Sequence, residues 1–129
     1  MNIEHLAIWV QDLDIMKRFY ESYFGARAGE KYRNSKKQFE SYFLSFERGC
    51  RLELMHRPDI PANVNDLLKE YQGLIHFAIS VGSKEKVDSL TEDLRSAGYM
   101  IVGEARTTGD GYYESVVLDP EQNRIEITI

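Results

Sequence analysis

Apolar and polar residues alternate along four short stretches of this chain, and the stretches form two matching pairs. Successive side chains of an extended strand point to opposite faces, so the alternation sorts each stretch into two sides. Leu6, Ile8 and Val10 share one side and His5, Ala7 and Trp9 the other. Leu52 and Leu54 are set against Glu53, Met55 and Arg57. Ile75, Phe77, Ile79 and Val81 are set against His76, Ala78 and Ser80, and Ile125, Ile127 and Ile129 against Arg124, Glu126 and Thr128.

Each pair of stretches encloses a helical pattern. After a strand over residues 2–10, Asp12 or Asp14 can cap a helix in which Leu13, Met16, Phe19, Tyr20 and Phe24 form one apolar stripe, closed by Gly25. After a strand over residues 74–81, Ser83 can cap a helix with Val87, Leu90, Leu94 and Ala97 on its apolar side, ended by Gly98. Residues 26–37 are polar and basic, with a loop at Asn34-Ser35-Lys36-Lys37. Strands are expected over 39–46 and 51–57, with a turn between them, and Pro58 and Pro61 end this half. Residues 58–73 read as a linker holding a short helix near Val64 to Tyr71. The second half continues with strands near 99–102, 112–118 and 124–129, with a loop through Gly109-Asp110-Gly111 and a turn at Asp119 to Asn123.

The pattern predicts an α+β fold of two tandem βαβββ modules, residues 1–57 and 74–129, in one domain spanning 1–129. A repeat of this length decides the fold class before any single residue does. The aliphatic side of each strand can pack on the amphipathic helix of its module. The opposite sides then line a polar cleft.

Composition narrows the partners. The 129 residues are enough to bury a core without disulfides. A net charge of −5 with no basic run gives no electrostatic footprint for nucleic acid or an anionic membrane. The apolar runs are of strand length, too short to span a bilayer. No basic-then-apolar leader opens the chain. Cys50, alone, fits a reducing compartment, so a cytoplasmic protein acting on a small molecule is expected.

On the polar sides stand four residues with donor chemistry: His5, Glu53, His76 and Glu126. Taken singly, each has a bland reading as a packed histidine or a solvated glutamate. Taken together, two His-to-Glu spacings of about fifty residues with the same facing point to one divalent metal site. A buried carboxylate needs a compensating charge, and a cation supplies it. Two imidazoles and two carboxylates suit Zn²⁺ or Ni²⁺ and leave positions open; Mn, Co or Fe would also be accepted. A substrate with two adjacent oxygens could chelate there and be activated for removal of a carbon-bound proton by a nearby carboxylate. Trp9 is either a wall of the substrate pocket or a wedge at an interface. Arg57 and Arg124 share the cleft side and could receive an anionic group or form surface ion pairs. His56 reads as a packing or capping residue at a strand end.

The segments His5-Leu6-Ala7-Ile8, Phe19-Tyr20, Phe24-Gly25, Leu52-Glu53-Leu54, Ile75-His76-Phe77-Ala78-Ile79, and Asp119-Pro120 with Asn123 and Glu126 resemble the vicinal oxygen chelate superfamily. That superfamily includes glyoxalase I, methylmalonyl-CoA epimerase, extradiol dioxygenases, and fosfomycin- and bleomycin-resistance proteins. The resemblance implies a cupped mixed sheet with helices on its outer face, and a homodimer, in which some members build each site from two chains. The His/Glu/His/Glu quartet is similar to that of glyoxalase I. It implies a metal-dependent lyase or isomerase acting on a 2-oxoaldehyde hemithioacetal or a similar α-hydroxycarbonyl compound. Glu126 is then the first choice for the base and Glu53 the second, with Trp9 and Arg57 as substrate contacts. The alternatives are a related epimerase or dioxygenase, or a non-catalytic binder of a drug or metabolite. Three positions depart from the glyoxalase I pattern. Trp9 stands where an arginine is usual, Arg57 lies near a usual asparagine, and Gln122 replaces the glycine common in the Asp-Pro turn.

Overall fold

Helix-forming and strand-forming stretches alternate in the same order in both halves of the computed structural model, which describes all residues 1–129. The first half runs β1 (His5–Trp9), α1 (Leu13–Phe24), β2 (Arg27–Ala28), β3 (Tyr32–Asn34), β4 (Phe39–Ser45) and β5 (Arg51–His56). The second runs β6 (Phe77–Ser80), α2 (Lys84–Ser96), β7 (Ile101–Thr107), β8 (Tyr113–Leu118) and β9 (Arg124–Thr128). The chain divides into two compact units, Met1–Val64 and Asn65–Ile129. This is the expected α+β pattern of two βαβββ modules, with the second strand of the first module broken into β2 and β3.

The local signals explain the helices. Asp12, not Asp14, caps α1: its carboxylate accepts from the amides of Asp14 and Ile15. Gly25 ends α1 at φ 63, a left-handed conformation that costs glycine little. Ser83 caps α2 by accepting from the Lys86 amide. The buried side of α1 is Leu13, Met16, Phe19 and Tyr20. That of α2 is Val87, Thr91 and Leu94, so a threonine takes an inward place that its polarity hides in the sequence.

The two sheets repeat one topology. In the first unit the order is β1-β5-β4-β2, with β3 also on β4; in the second it is β6-β9-β8-β7. The pairs β1–β5 and β6–β9 are parallel and the remaining pairs antiparallel. A parallel pair needs a crossover, and each module's helix begins that crossover. One face of each sheet is covered by its own helix. There Leu44, Leu52 and Leu54 join Met16 and Tyr20, and Val117, Ile125 and Ile127 join Val87 and Leu94, all essentially inaccessible. Each such side chain contributes about 1.5–3 kcal/mol by leaving water.

Four sequence expectations are corrected. Residues 26–37, where the sequence predicts no strand, hold β2 and β3, both paired with β4. The linker holds turns but no helix; Val64, Leu68 and Tyr71 are exposed and give a helix nothing to pack on. The strand expected over 74–81 starts only at Phe77, which leaves His76 just ahead of it. The strand near 99–102 runs instead from Ile101 to Thr107, with irregular register around Gly103.

Candidate metal centre

The parallel register places the donor residues. In the first unit His5 pairs with Arg51 and Ala7 with Glu53. In the second Ala78 pairs with Glu126, and His76 lies two residues before Ala78. A His-x-Ala stretch thus runs beside an Arg-x-Glu stretch in each module. The small alanine leaves room for the glutamate to lean toward the histidine.

Within the first unit, Nε2 of His5 is 3.7 Å from Oε2 of Glu53. Within the second, Nε2 of His76 is 3.3 Å from Oε2 of Glu126. The histidines are half exposed, at 38% and 40% of their side chains, and the glutamates are mostly covered, at 14% and 16%. Two donors bound to one ion at 2.0–2.2 Å would lie about 3.0–3.4 Å apart at right to tetrahedral angles. Both pairs are at or slightly beyond that separation, and both join imidazole nitrogen to carboxylate oxygen. Imidazole nitrogen and carboxylate oxygen are donor types that divalent cations accept. Each unit supplies one such pair, and neither gathers three or more His, Cys, Asp or Glu side chains into a cluster of its own.

The surroundings of the pairs differ. His5 turns Nδ1 to Oε2 of Glu4 at 2.5 Å. Glu4 in turn accepts from Nε of Arg51 at 2.8 Å and from its Nη2. The hydrogen bond to His5, with help from Arg51, lowers the Glu4 carboxyl below its ordinary pKa. The edge of His5 meets the Phe43 ring, with centroids 5.4 Å apart. In the second unit the position across from Glu126 is Val116, and Glu114 lies two residues from it on the same face. Burial, and then the charge of Glu114, push the Glu126 carboxyl pKa up, while His76 pulls it down. Glu114 is itself 12% exposed and 3.4 Å from Arg106. Sequence reasoning missed Glu114 and Arg106. The parity of Glu114 with Val116 was available, but the register beside Glu126 was not.

The two candidate substrate contacts lie side by side. The Arg57 guanidinium stands 5.5 Å from the centre of the Trp9 ring and also bonds Asp59. Trp9 is 41% exposed and meets Phe39 edge-on. Arg124 has a different task. Its guanidinium donates to the carbonyls of Leu67 at 2.8 Å and Lys69 at 3.3 Å, with Glu70 at 3.6 Å, and so ties the linker to β9. His56 places Nδ1 3.0 Å from the Val10 carbonyl, the strand-end role expected for it. No helix is long and apolar enough to cross a membrane.

The sequence profile of the Glyoxalase/Bleomycin resistance protein/Dioxygenase superfamily matches residues 2–127. No curated protein sequence matches significantly. Among solved structures, glyoxalase I from Zea mays is 23% identical with a TM-score of 0.79, over 98% of this chain and 44% of that one. The trypanothione-dependent glyoxalase I of Leishmania major is 24% identical with a TM-score of 0.76, over 99% and 86%. A glyoxylase/bleomycin resistance protein/dioxygenase domain from Frankia sp. EAN1pec is 20% identical with a TM-score of 0.81, over 99% and 90%. This chain spans less than half the length of the maize enzyme. At these identities the likeness is one of fold.

Proposed function

This chain belongs to the Glyoxalase/Bleomycin resistance protein/Dioxygenase superfamily, and from that premise we propose that it is a divalent-metal-dependent lyase or isomerase of the glyoxalase I kind. Its substrate is a 2-oxoaldehyde hemithioacetal or a similar α-hydroxycarbonyl compound. The ligands are His5, Glu53, His76 and Glu126, two from each module. The observation that carries the reading is the repeated pair, an imidazole nitrogen 3.7 Å and 3.3 Å from a mostly covered carboxylate. Members of the superfamily commonly bind divalent metals, and two imidazole–carboxylate pairs would supply four ligands of the usual types.

A divalent ion bound there would supply Lewis acidity to a substrate carbonyl and lower the cost of removing the neighbouring carbon-bound proton. The chain's own groups do the rest. Glu126, covered and beside Glu114, takes that proton and returns it to the adjacent carbon, with Glu53 the second candidate for this base. Trp9 and Arg57 form a flat, cationic contact for the rest of the substrate. The working form is a homodimer in the cytoplasm.

Elemental analysis of purified protein tests the site. One ion per chain is expected, lost on Glu53→Gln and equally on Glu126→Gln; an unchanged metal content in either variant removes that residue from the site. Methylglyoxal supplied with a panel of thiols tests the activity, and no turnover with any of them would overturn the glyoxalase reading. Iron content with oxygen consumption would point instead to a dioxygenase. Ligand binding by the metal-free protein would point to a sequestering protein.

A further inference from the structure

We propose that Glu4 and Arg51 form a clamp that presets the tautomer and orientation of His5 for metal binding, making Arg51 a positioning residue of the first module. The inference rests on the metal-site reading above and adds a residue pair to it.

The clamp is built from hydrogen bonds and ring contacts. Glu4 Oε2 meets His5 Nδ1 at 2.5 Å, while Glu4 Oε1 accepts from both Nε and Nη2 of Arg51. The backbone adds a bond from the Arg51 amide to the Glu4 carbonyl at 3.1 Å. The Arg51 guanidinium lies 4.0 Å from the centre of the Phe43 ring, and the same ring bounds His5. Phe43 is the register partner of Glu53, and His5 of Arg51, so all four residues are fixed by one stretch of sheet.

The chemistry follows from what each group can do. An ionised carboxylate only accepts, so the close contact with Glu4 keeps a proton on Nδ1 of His5. Nε2, which faces Glu53 at 3.7 Å, is then the nitrogen left for a metal ion. A histidine whose second nitrogen donates to a carboxylate is the usual arrangement at metal centres, because it fixes the ring and strengthens the donor. Glu4 is 59% exposed and would swing freely without the two-point grip of Arg51. The second module lacks the device. Arg124 also stands two residues ahead of its glutamate, but its guanidinium is occupied by the linker carbonyls. The ionic partner of His76 is Glu126 alone.

Nitrogen-15 NMR of the histidine rings in metal-free protein at neutral pH, followed by zinc titration with a competing chelator, tests the clamp. In the wild type, His5 should be the Nδ1–H tautomer. Glu4→Ala and Arg51→Gln should both shift it toward the Nε2–H form, leave the His76 signals unmoved, and weaken zinc binding by roughly 10- to 100-fold. Arg51→Lys should restore part of both. An unchanged His5 tautomer in Glu4→Ala and Arg51→Gln overturns the clamp, as does a changed tautomer with wild-type zinc affinity. A wild-type protein that binds no zinc, nickel, manganese, cobalt or iron defeats the metal-site reading instead, and the metal-free spectra still judge the clamp itself.

Discussion

Ala78 faces Glu126 in register across the parallel pair β6–β9, as Ala7 faces Glu53 across β1–β5. Residues paired in this way project to the same side of the sheet, so a methyl group stands beside each carboxylate. That gap lets Glu126 approach His76. Ala78 is exposed, and a leucine there would occupy the gap without disturbing the core. We expect Ala78→Leu to lower metal affinity at least tenfold while changing stability by no more than about 0.5 kcal/mol. Metal titration alongside denaturant unfolding checks both halves of this expectation. Wild-type affinity in the variant would show that the carboxylate does not need the space.

Glu126 should weaken the metal-free protein at neutral pH. Its folded-state pKa is raised, first by burial and then by Glu114. The folded state therefore holds this proton more tightly than the unfolded chain does. The resulting stability is complete below the unfolded carboxylate pKa and is lost as pH rises through the folded value. Metal-free Glu126→Gln should accordingly melt above the wild type near neutral pH, and the difference should shrink as the pH falls toward about 4. With metal added, the order should reverse, because only the wild type keeps its ligand. Thermal melts in chelator and in excess zinc give the comparison.

Gln122 occupies φ 72, a region that costs a residue with a side chain roughly 1–2 kcal/mol. The turn tolerates it because Asp119 accepts from the amides of Glu121 and Asn123 and from the Asn123 side chain, each at 2.9 Å. Gln122→Gly removes the strain but adds freedom to the unfolded chain. A net gain of about 0.5–1 kcal/mol is expected in urea unfolding. A loss would mean that the Gln122 side chain contributes more than its backbone costs.

Thr91 links α2 to β8 from inside the second core. Its hydroxyl donates to the Val87 carbonyl at 2.6 Å and lies 2.7 Å from the Ser115 hydroxyl, with both residues buried. Thr91→Val strands the Ser115 hydroxyl and should cost about 1–3 kcal/mol. Adding Ser115→Ala should recover part of that cost, since two apolar groups leave nothing unsatisfied. A double-mutant cycle measured by denaturant unfolding would reveal the coupling, and strictly additive costs would contradict it.

The sheet faces were legible because Leu52 and Leu54, and Ile125 and Ile127, flank their glutamates with period two. The helices were legible because Asp12, Gly25 and Ser83 stand where caps are needed. β2 and β3 were not, since two and three residues carry no measurable period. The linker spacing of Val64, Leu67, Leu68 and Tyr71 imitates a helix, yet a short apolar stripe without a surface to cover does not fold as one. Of the candidate site, the His–Glu pairs were readable from parity. Glu114, Arg106 and the Glu4–Arg51 contact were not, because each depends on which strand lies next to which.

Every rung of each ladder joins strands from the same half of the polypeptide. Scission of the peptide bond anywhere between Arg57 and Leu74 would leave all sheet hydrogen bonding in place. Each half therefore carries the complete set of strand pairings of its own sheet. A circularly permuted gene, with residues 74–129 encoded first, would specify the same pairings in the opposite order.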